Sequence, residues 1–158
     1  MGCYVLDTTV LSNFAHVRRP LLIRTALGES VLTTPVVMAE LAQGVKAGYV
    51  PACDWDWLDI LKPDERIRSL ADELRRVVDG GEAESLAAAL VQGCVFLSDD
   101  FAARELAKHH GVKVSGTLGI LIRLVKSDRL SLDEADKLLQ TMIAHGYRSP
   151  VSTLVPFV

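Results

Sequence analysis

Acidic residues follow two of the short apolar segments in this chain. Cys3 to Leu6 runs into Asp7, and Val95 to Leu97 is followed, after one serine, by Asp99 and Asp100. In open parallel sheets, ligands bind beyond the carboxyl ends of the strands, where the strand order reverses. If these segments are strands of such a sheet, the three carboxylates are in the right place for a site.

Two glutamates lie in apolar surroundings, where a lone carboxylate is costly unless a cation or a donor compensates it. Glu40 is inside the apolar segment 36–42, and Glu82 opens an alanine-rich helix directly after Gly80-Gly81. Several such residues suggest a shared cation, and Mg²⁺ prefers oxygen ligands. Such an ion lowers the pKa of a water molecule and neutralises charge on a phosphodiester, so hydrolysis would need no catalytic histidine or serine.

Each of these acids also has a purely structural interpretation. Asp7 could simply cap a helix, and one of Asp99 and Asp100 must cap the helix that begins at Phe101. Glu40 could be a solvated helix residue. Glu82 could have no role beyond stabilising a helix N-terminus, where the macrodipole favours negative charge. The order of the acids along the chain is more specific than any one of them.

Glu82 and Glu84 compete for the third position in this acidic set. They are two residues apart, so on a helix their side chains point about 200° apart and cannot both reach one site. Leu86 and Leu90 define the buried side of the helix. Glu82 lies one turn from Leu86, so we predict that Glu82 is the ligand and that Glu84 projects toward solvent.

Short apolar runs alternate with helical stretches along the chain, which predicts an α/β fold with a parallel sheet and helices on both faces. The predicted strands are Cys3–Leu6, Ser30–Thr33, Leu58–Leu61, Val95–Leu97 and Val112–Val114. The predicted helices are Thr34–Val45, Asp64–Val78, Glu82–Gln92, Phe101–His110, Leu118–Lys126 and Leu132–Ala144, the last with a capping box from Ser131 and Glu134.

Length and composition predict one domain over residues 1–158, since the chain is 49% hydrophobic and contains no repeat or linker-like segment. The net charge of −3 is unusual for a nucleic-acid-binding protein. If five of the 20 acidic residues occupy one metal site, the 15 that remain face 17 Lys and Arg, a balance of about +2.

The cysteines and the apolar runs predict a cytoplasmic protein with no membrane segment and no signal peptide. Cys3, Cys53 and Cys94 are odd in number and lack the C-x-x-C spacing of metal sites. Cys3 and Cys94 are expected to be small core residues without chemistry. The histidines, His16, His109, His110 and His145, show no metal-binding spacing and are expected in surface or helix-end positions.

Several segments together resemble the PIN-domain family, which includes the VapC-type toxins of toxin-antitoxin pairs. The segments are Val5–Leu11, Pro35–Leu41, Gly81–Glu84 and Leu97–Asp100, while Ala103–Gly111, Gly116–Gly119 and Gly146–Ser149 look like one branch of that family. The resemblance spans nearly the whole chain. It implies a three-layer α/β/α fold with about five parallel strands.

The resemblance also implies a Mg²⁺- or Mn²⁺-dependent RNA endonuclease, often dimeric and, in toxin pairs, inhibited by an antitoxin. The metal ligands carried over are Asp7, Glu40, Glu82 and Asp100, with Asp99 beside them. Two features depart from the family pattern: the third acid is Glu rather than the commoner Asp, and the spaced acids after the fourth strand are contracted into Asp99-Asp100. The alternative is a catalytically weak module that binds RNA or protein.

Three arginines are the predicted contacts to the phosphates of RNA. Arg18 and Arg19 follow the first acidic segment, and Arg104 follows the Asp99-Asp100 pair. Arginine side chains commonly bind phosphate oxygens and so position a protein on nucleic acid. A solvated surface position is the competing interpretation for all three.

Overall fold

The computed structural model describes residues 2–158, in which five strands form one parallel sheet. The strands are β1 (Tyr4–Leu6), β2 (Val31–Thr33), β3 (Asp59–Ile60), β4 (Val95–Leu97) and β5 (Val114–Ser115). Their order is β3-β2-β1-β4-β5, and every pairing is parallel. The chain runs outward from β1 to β3 and then continues on the other side of β1, so the strand order reverses between β1 and β4.

Helices connect the strands and cover both faces of the sheet. The α-helices of residues 2–158 are α1 (Thr8–His16), α2 (Leu21–Leu27), α3 (Pro35–Lys46), α4 (Glu65–Leu74), α5 (Gly80–Gln92), α6 (Phe101–His109), α7 (Thr117–Lys126) and α8 (Leu132–Ala144). A single 3₁₀ turn, Val155–Phe157, follows. Within this described part of the chain, no helix has both the length and the apolar character needed to cross a bilayer.

The central strands are buried on both faces, which explains why their sequences are continuous apolar runs rather than alternating ones. Leu6 and Leu97 belong to a core that includes residues of α1, α2, α7 and α8. Val5 and Phe96 belong to a second core with α4, α5 and α6. The predicted three-layer α/β/α arrangement with five parallel strands is therefore confirmed.

Helix α5 begins earlier than its apolar pattern predicts. The Asp79 carboxylate accepts a hydrogen bond from the Glu82 backbone N–H at 3.1 Å, so the helix starts at Gly80 rather than at Glu82. Its buried face consists largely of alanines. Small side chains allow the backbone of α5 to lie close to the sheet and to α3.

Two helices near the N-terminus were not predicted, and α4 and α5 are the predicted helices with a boundary that differs by two residues or more. The residues of α1 follow Asp7 as its N-cap, and α2 has only seven residues, too few for a clear periodic pattern. Helix α4 ends at Leu74, and a turn in which the Val77 and Val78 backbone N–H groups donate to the Leu74 carbonyl leads to Asp79, the N-cap of α5. The capping box of α8 is confirmed, with Ser131 as N-cap.

The expectation for Cys3 and Cys94 was wrong. The two residues immediately precede the neighbouring strands β1 and β4, and a disulfide bond joins them, with Cα atoms 4.8 Å apart. Parallel pairing of β1 with β4 brings the two positions together although they are 91 residues apart in the chain. Cys53 is the free cysteine of the described residues and is half-buried.

Candidate active site

A cavity of about 560 Å³ opens at the carboxyl ends of β1 and β4, where the strand order reverses. The Asp7 backbone N–H donates to the Leu97 carbonyl at 3.0 Å, so the residues after the two strands start side by side. All five predicted acids line the cavity, together with one that was not predicted, Asp79. The carboxylates are those of Asp7, Glu40, Asp79, Glu82, Asp99 and Asp100.

Asp7 is fully buried and caps α1 through one of its two carboxylate oxygens. Oδ1 accepts hydrogen bonds from the Thr9 backbone N–H at 3.0 Å and from the Thr9 hydroxyl at 2.6 Å. Within residues 2–158, Oδ2 has no hydrogen-bond partner of normal geometry. The nearby Ser98 hydroxyl nevertheless lowers the pKa of Asp7 and so opposes the effect of burial. Burial, and to a smaller extent the Asp99 charge, raise the pKa of Asp7 to about 7.

Glu40 reaches the cavity from the middle of α3. The Thr8 hydroxyl, in the first turn of α1, donates to Glu40 Oε1 at 2.7 Å. The same Oε1 atom lies so close to Gly81 of α5 that a methyl group there would overlap it. The absence of a side chain at Gly81 therefore gives the Glu40 carboxylate its place between α1 and α5.

Glu82 lies half-buried in the first turn of α5 and faces the same cavity. Its pKa is raised to about 8, first by burial and then by the negative charges of Asp79, Asp100 and Asp7. This repulsion indicates that negative charge at the cavity is poorly compensated by the protein itself.

Glu84 does not project toward solvent, and that part of the prediction was wrong. Its side chain is 7% exposed, and Oε1 accepts a hydrogen bond from the Val36 backbone N–H at 3.0 Å. The helical wheel of α5 contains no information about neighbouring helices, and the N-terminus of α3 covers the side that carries Glu84. Glu84 therefore holds α3 against α5 and does not line the cavity.

Asp99 and Asp100 differ in how their carboxylates are used. Asp99 Oδ1 accepts from the Thr117 backbone N–H, and Oδ2 accepts from the Asn13 amide and the Thr117 hydroxyl. Burial raises the pKa of Asp99 despite these hydrogen bonds. Asp100 caps α6, with Oδ2 accepting from the Ala103 backbone N–H at 2.9 Å. Asp99 is thus chiefly a link between α1, β4 and α7, and Asp100 is less occupied.

The three predicted phosphate-binding arginines do not line this cavity. Arg18 and Arg19 are exposed in the turn after α1. The Arg104 guanidinium donates to the carbonyls of Ser98 and Ser115, both at 2.8 Å, and so ties together the ends of β4 and β5. The cation that does line the cavity is Arg148.

The C-terminal side of the cavity was missed by the sequence interpretation. His16 and His145 lie there with ring centroids 4.9 Å apart, and burial together with the His145 charge lowers the pKa of His16. Tyr147 and Arg148 complete that wall. The only signal for them was the Gly146–Ser149 segment, which carried no chemical interpretation.

The residues fit a divalent cation in their chemistry. Hard cations take carboxylate oxygens, and Asp7 Oδ2 is a buried oxygen without a normal partner. As the side chains stand in residues 2–158, no three Asp, Glu, His or Cys residues are arranged so that they could hold one ion. Burial and the negative charges of Asp79, Asp100 and Asp7 raise the pKa of Glu82, and a bound cation would oppose both effects.

When a chelator keeps divalent metal away from the protein, the free energy of unfolding should fall as the pH rises from 3.8, the ordinary pKa of an aspartate, to about 7, the pKa of Asp7 in the folded protein. Over this interval the folded state keeps a proton on Asp7 that the unfolded chain has released, so deprotonation opposes folding. One retained proton corresponds to a slope of at most about 1.4 kcal/mol per pH unit. Asp7→Asn should reduce this slope in urea titrations at several pH values, leaving the part due to Glu82, whereas Asp56→Asn, at an exposed position, should not change it. An unchanged slope in Asp7→Asn would contradict the assignment.

Comparison with known proteins agrees with this architecture. The family model DUF3368, a PIN domain, matches residues 3–157. A search of curated proteins finds no significant match. PIN domains are generally nucleases, which is consistent with an acid-lined cavity at the carboxyl ends of the central strands. Because the family model covers nearly the whole chain, the protein belongs to the PIN-domain family.

Proposed function

We propose that this PIN domain is a Mg²⁺- or Mn²⁺-dependent endoribonuclease that hydrolyses phosphodiester bonds at the acid-lined cavity. The observation that carries the proposal is the convergence of Asp7, Glu40, Glu82 and Asp100 on one cavity at the strand switch point. Raised pKa values at Asp7 and Glu82 support it, because they mark negative charge that the protein leaves uncompensated.

The four carboxylates would hold the metal, with Asp99 beside them. When bound, the ion supplies an activated water and neutralises charge on the scissile phosphate. Thr9 and Thr8 fix Asp7 and Glu40 through hydroxyl hydrogen bonds, which limits the reorganisation needed at the site. Asp99, with both oxygens engaged, keeps α1 and α7 in place around the cavity.

Purified protein should cleave single-stranded RNA in Mg²⁺ or Mn²⁺ and lose all cleavage in EDTA. Glu82→Gln or Asp100→Asn should reduce the rate by about 10²-fold or more, as loss of a major electrostatic contribution does. Glu84→Gln should cost little, because the amide oxygen can still accept from Val36. Denaturing gels of a labelled RNA measure all four proteins. Cleavage that persists in EDTA, or a Glu84→Gln rate as low as that of Glu82→Gln, would contradict this site.

The same assay separates the nuclease from its alternative, a catalytically weak PIN-like module that binds RNA or protein. Such a module would keep its RNA or partner affinity in EDTA and show no metal-dependent cleavage. The alternative draws support from Asp99, whose two oxygens are both occupied by hydrogen bonds.

Gly81→Ala should lower RNA cleavage by about 10²-fold while leaving the protein folded. The new methyl group would displace the Glu40 carboxylate from its hydrogen bond with Thr8. Gly80→Ala is the matched control, since a methyl group there meets nothing closer than 3.7 Å. Both variants add alanine to the first turn of α5, so their melting temperatures and helix content provide a common check. Equal rates for the two variants would show that the position of Glu40 does not matter.

We also propose that the protein forms a homodimer and, as a toxin of a toxin-antitoxin pair, binds an antitoxin protein. The dimer is supported by large apolar side chains left exposed on the helices, including Leu21 of α2 and Phe101 of α6. Sedimentation equilibrium should give the mass of two chains. A single-chain mass at all concentrations would exclude the dimer.

A further inference from the structure

The C-terminal segment 145–154, here called the strap, leads from the end of α8 to the wall of the cavity. Gly146 has φ of 107°, and the Tyr147 backbone N–H donates back to the Met142 carbonyl at 3.0 Å. This is a Schellman-type end for α8, which turns the chain sharply after the helix. Because of this turn, Tyr147 and Arg148 line the cavity beside the acidic residues.

The strap is held at its far end by specific contacts with α8. Asp136 accepts from the Thr153 hydroxyl at 2.6 Å and from the Leu154 backbone N–H at 2.7 Å. The Leu154 side chain is fully buried in the larger core. The backbone that carries Arg148 is therefore anchored on both sides, at Tyr147 and at Leu154.

Arg148 has the properties of a phosphate-binding residue. It is exposed, and among residues 2–158 it is the one Lys or Arg side chain that lines the acidic cavity. Although six carboxylates line the same cavity, Arg148 makes no ion pair within 4.0 Å in the described chain. Its guanidinium thus remains available to a ligand that carries negative charge.

A second cavity of about 260 Å³ adjoins the first and shares Asp99, Tyr147 and Arg148 with it. Arg104, Gly116 and Gly119 lie on its other side. A chain of nucleotides that ran from the acidic cavity into this neighbouring cavity would pass Arg148, because Arg148 lines both cavities. The phosphate between the two cavities would then lie beside Arg148.

We propose that Arg148, positioned by the strap, binds the phosphate of the RNA backbone next to the scissile one. This inference rests on the proposed nuclease function and adds to it the residue that holds the substrate in register. Asp136 is a positioning residue, since it fixes the strap without lining the acidic cavity. Arg18 and Arg19, which do not line this cavity, are not required in this role.

The test measures binding separately from cleavage. A short fluorescein-labelled single-stranded RNA is titrated with Asp7→Asn protein in Mg²⁺, and anisotropy gives Kd at several salt concentrations. Adding Arg148→Gln should raise Kd about tenfold and reduce the slope of log K against log salt by about 0.7, the value for one phosphate contact on a single strand. Arg148→Lys should keep the slope. Exposed Arg129→Gln, the matched control, should change Kd by less than about twofold.

Asp136→Ala tests the strap itself. Removing a negative charge should by itself strengthen RNA binding, whereas loosening the strap should weaken it. We expect weaker binding, and little further loss when Arg148→Gln is added, because the two changes disable one contact. Melting temperatures check that each variant is folded, and Thr153→Val provides a second way to loosen the strap.

Two results would overturn the proposal: an unchanged Kd and slope in Arg148→Gln, or an equal loss in Arg129→Gln. Failure of the nuclease function would look different. In that case wild-type protein would not cleave RNA in Mg²⁺, or Asp7→Asn would still cleave it, while the effect of Arg148 on binding would still be measured.

Discussion

The Thr9 hydroxyl joins the two central strand ends on which the cavity depends. It donates to Asp7 Oδ1 at 2.6 Å and accepts from the Asp99 backbone N–H at 2.8 Å. Asp7 follows β1 and Asp99 follows β4, so one hydroxyl sets the separation of the two acidic segments. A buried hydrogen bond to a carboxylate is among the stronger ones in proteins. Together with the Asp7–Leu97 backbone hydrogen bond, it holds the start of α1 beside the chain after β4.

The acids of the cavity also begin the helices around it. Asp7, Asp79 and Asp100 are the N-caps of α1, α5 and α6. Three helix N-termini thus lie at the cavity, and their partial positive charge favours carboxylates. The raised pKa values of Asp7 and Glu82 show that this contribution does not offset burial and mutual repulsion. The architecture gathers the acids, but it leaves net negative charge for a cation to neutralise.

The sequence predicts those parts of the site that local chemistry determines. Asp7, Asp99 and Asp100 could be found because they follow buried strands, and the carboxyl ends of parallel strands meet where ligands bind. Glu84 could not be placed, because the wheel of α5 contains no information about α3 packing over it. Arg148 and the Cys3–Cys94 pair depend on contacts between distant segments, which spacing along one chain does not reveal. Arg18, Arg19 and Arg104 were predicted from residue type alone. Residue type does not determine which part of the folded surface a side chain faces.

The first turn of α5 has to meet two structural requirements. Glu82 must face the cavity, and the backbone at Gly81 must leave room for Glu40 from α3. Any side chain at Gly81 would separate these two glutamates, while Asp79 caps the turn and adds a further negative charge. The buried alanines later in α5 permit the close approach to the sheet that brings this turn to the cavity. Glycine in the first turn and alanine behind it therefore have a common effect, which is to bring two acidic side chains from different helices to the same cavity.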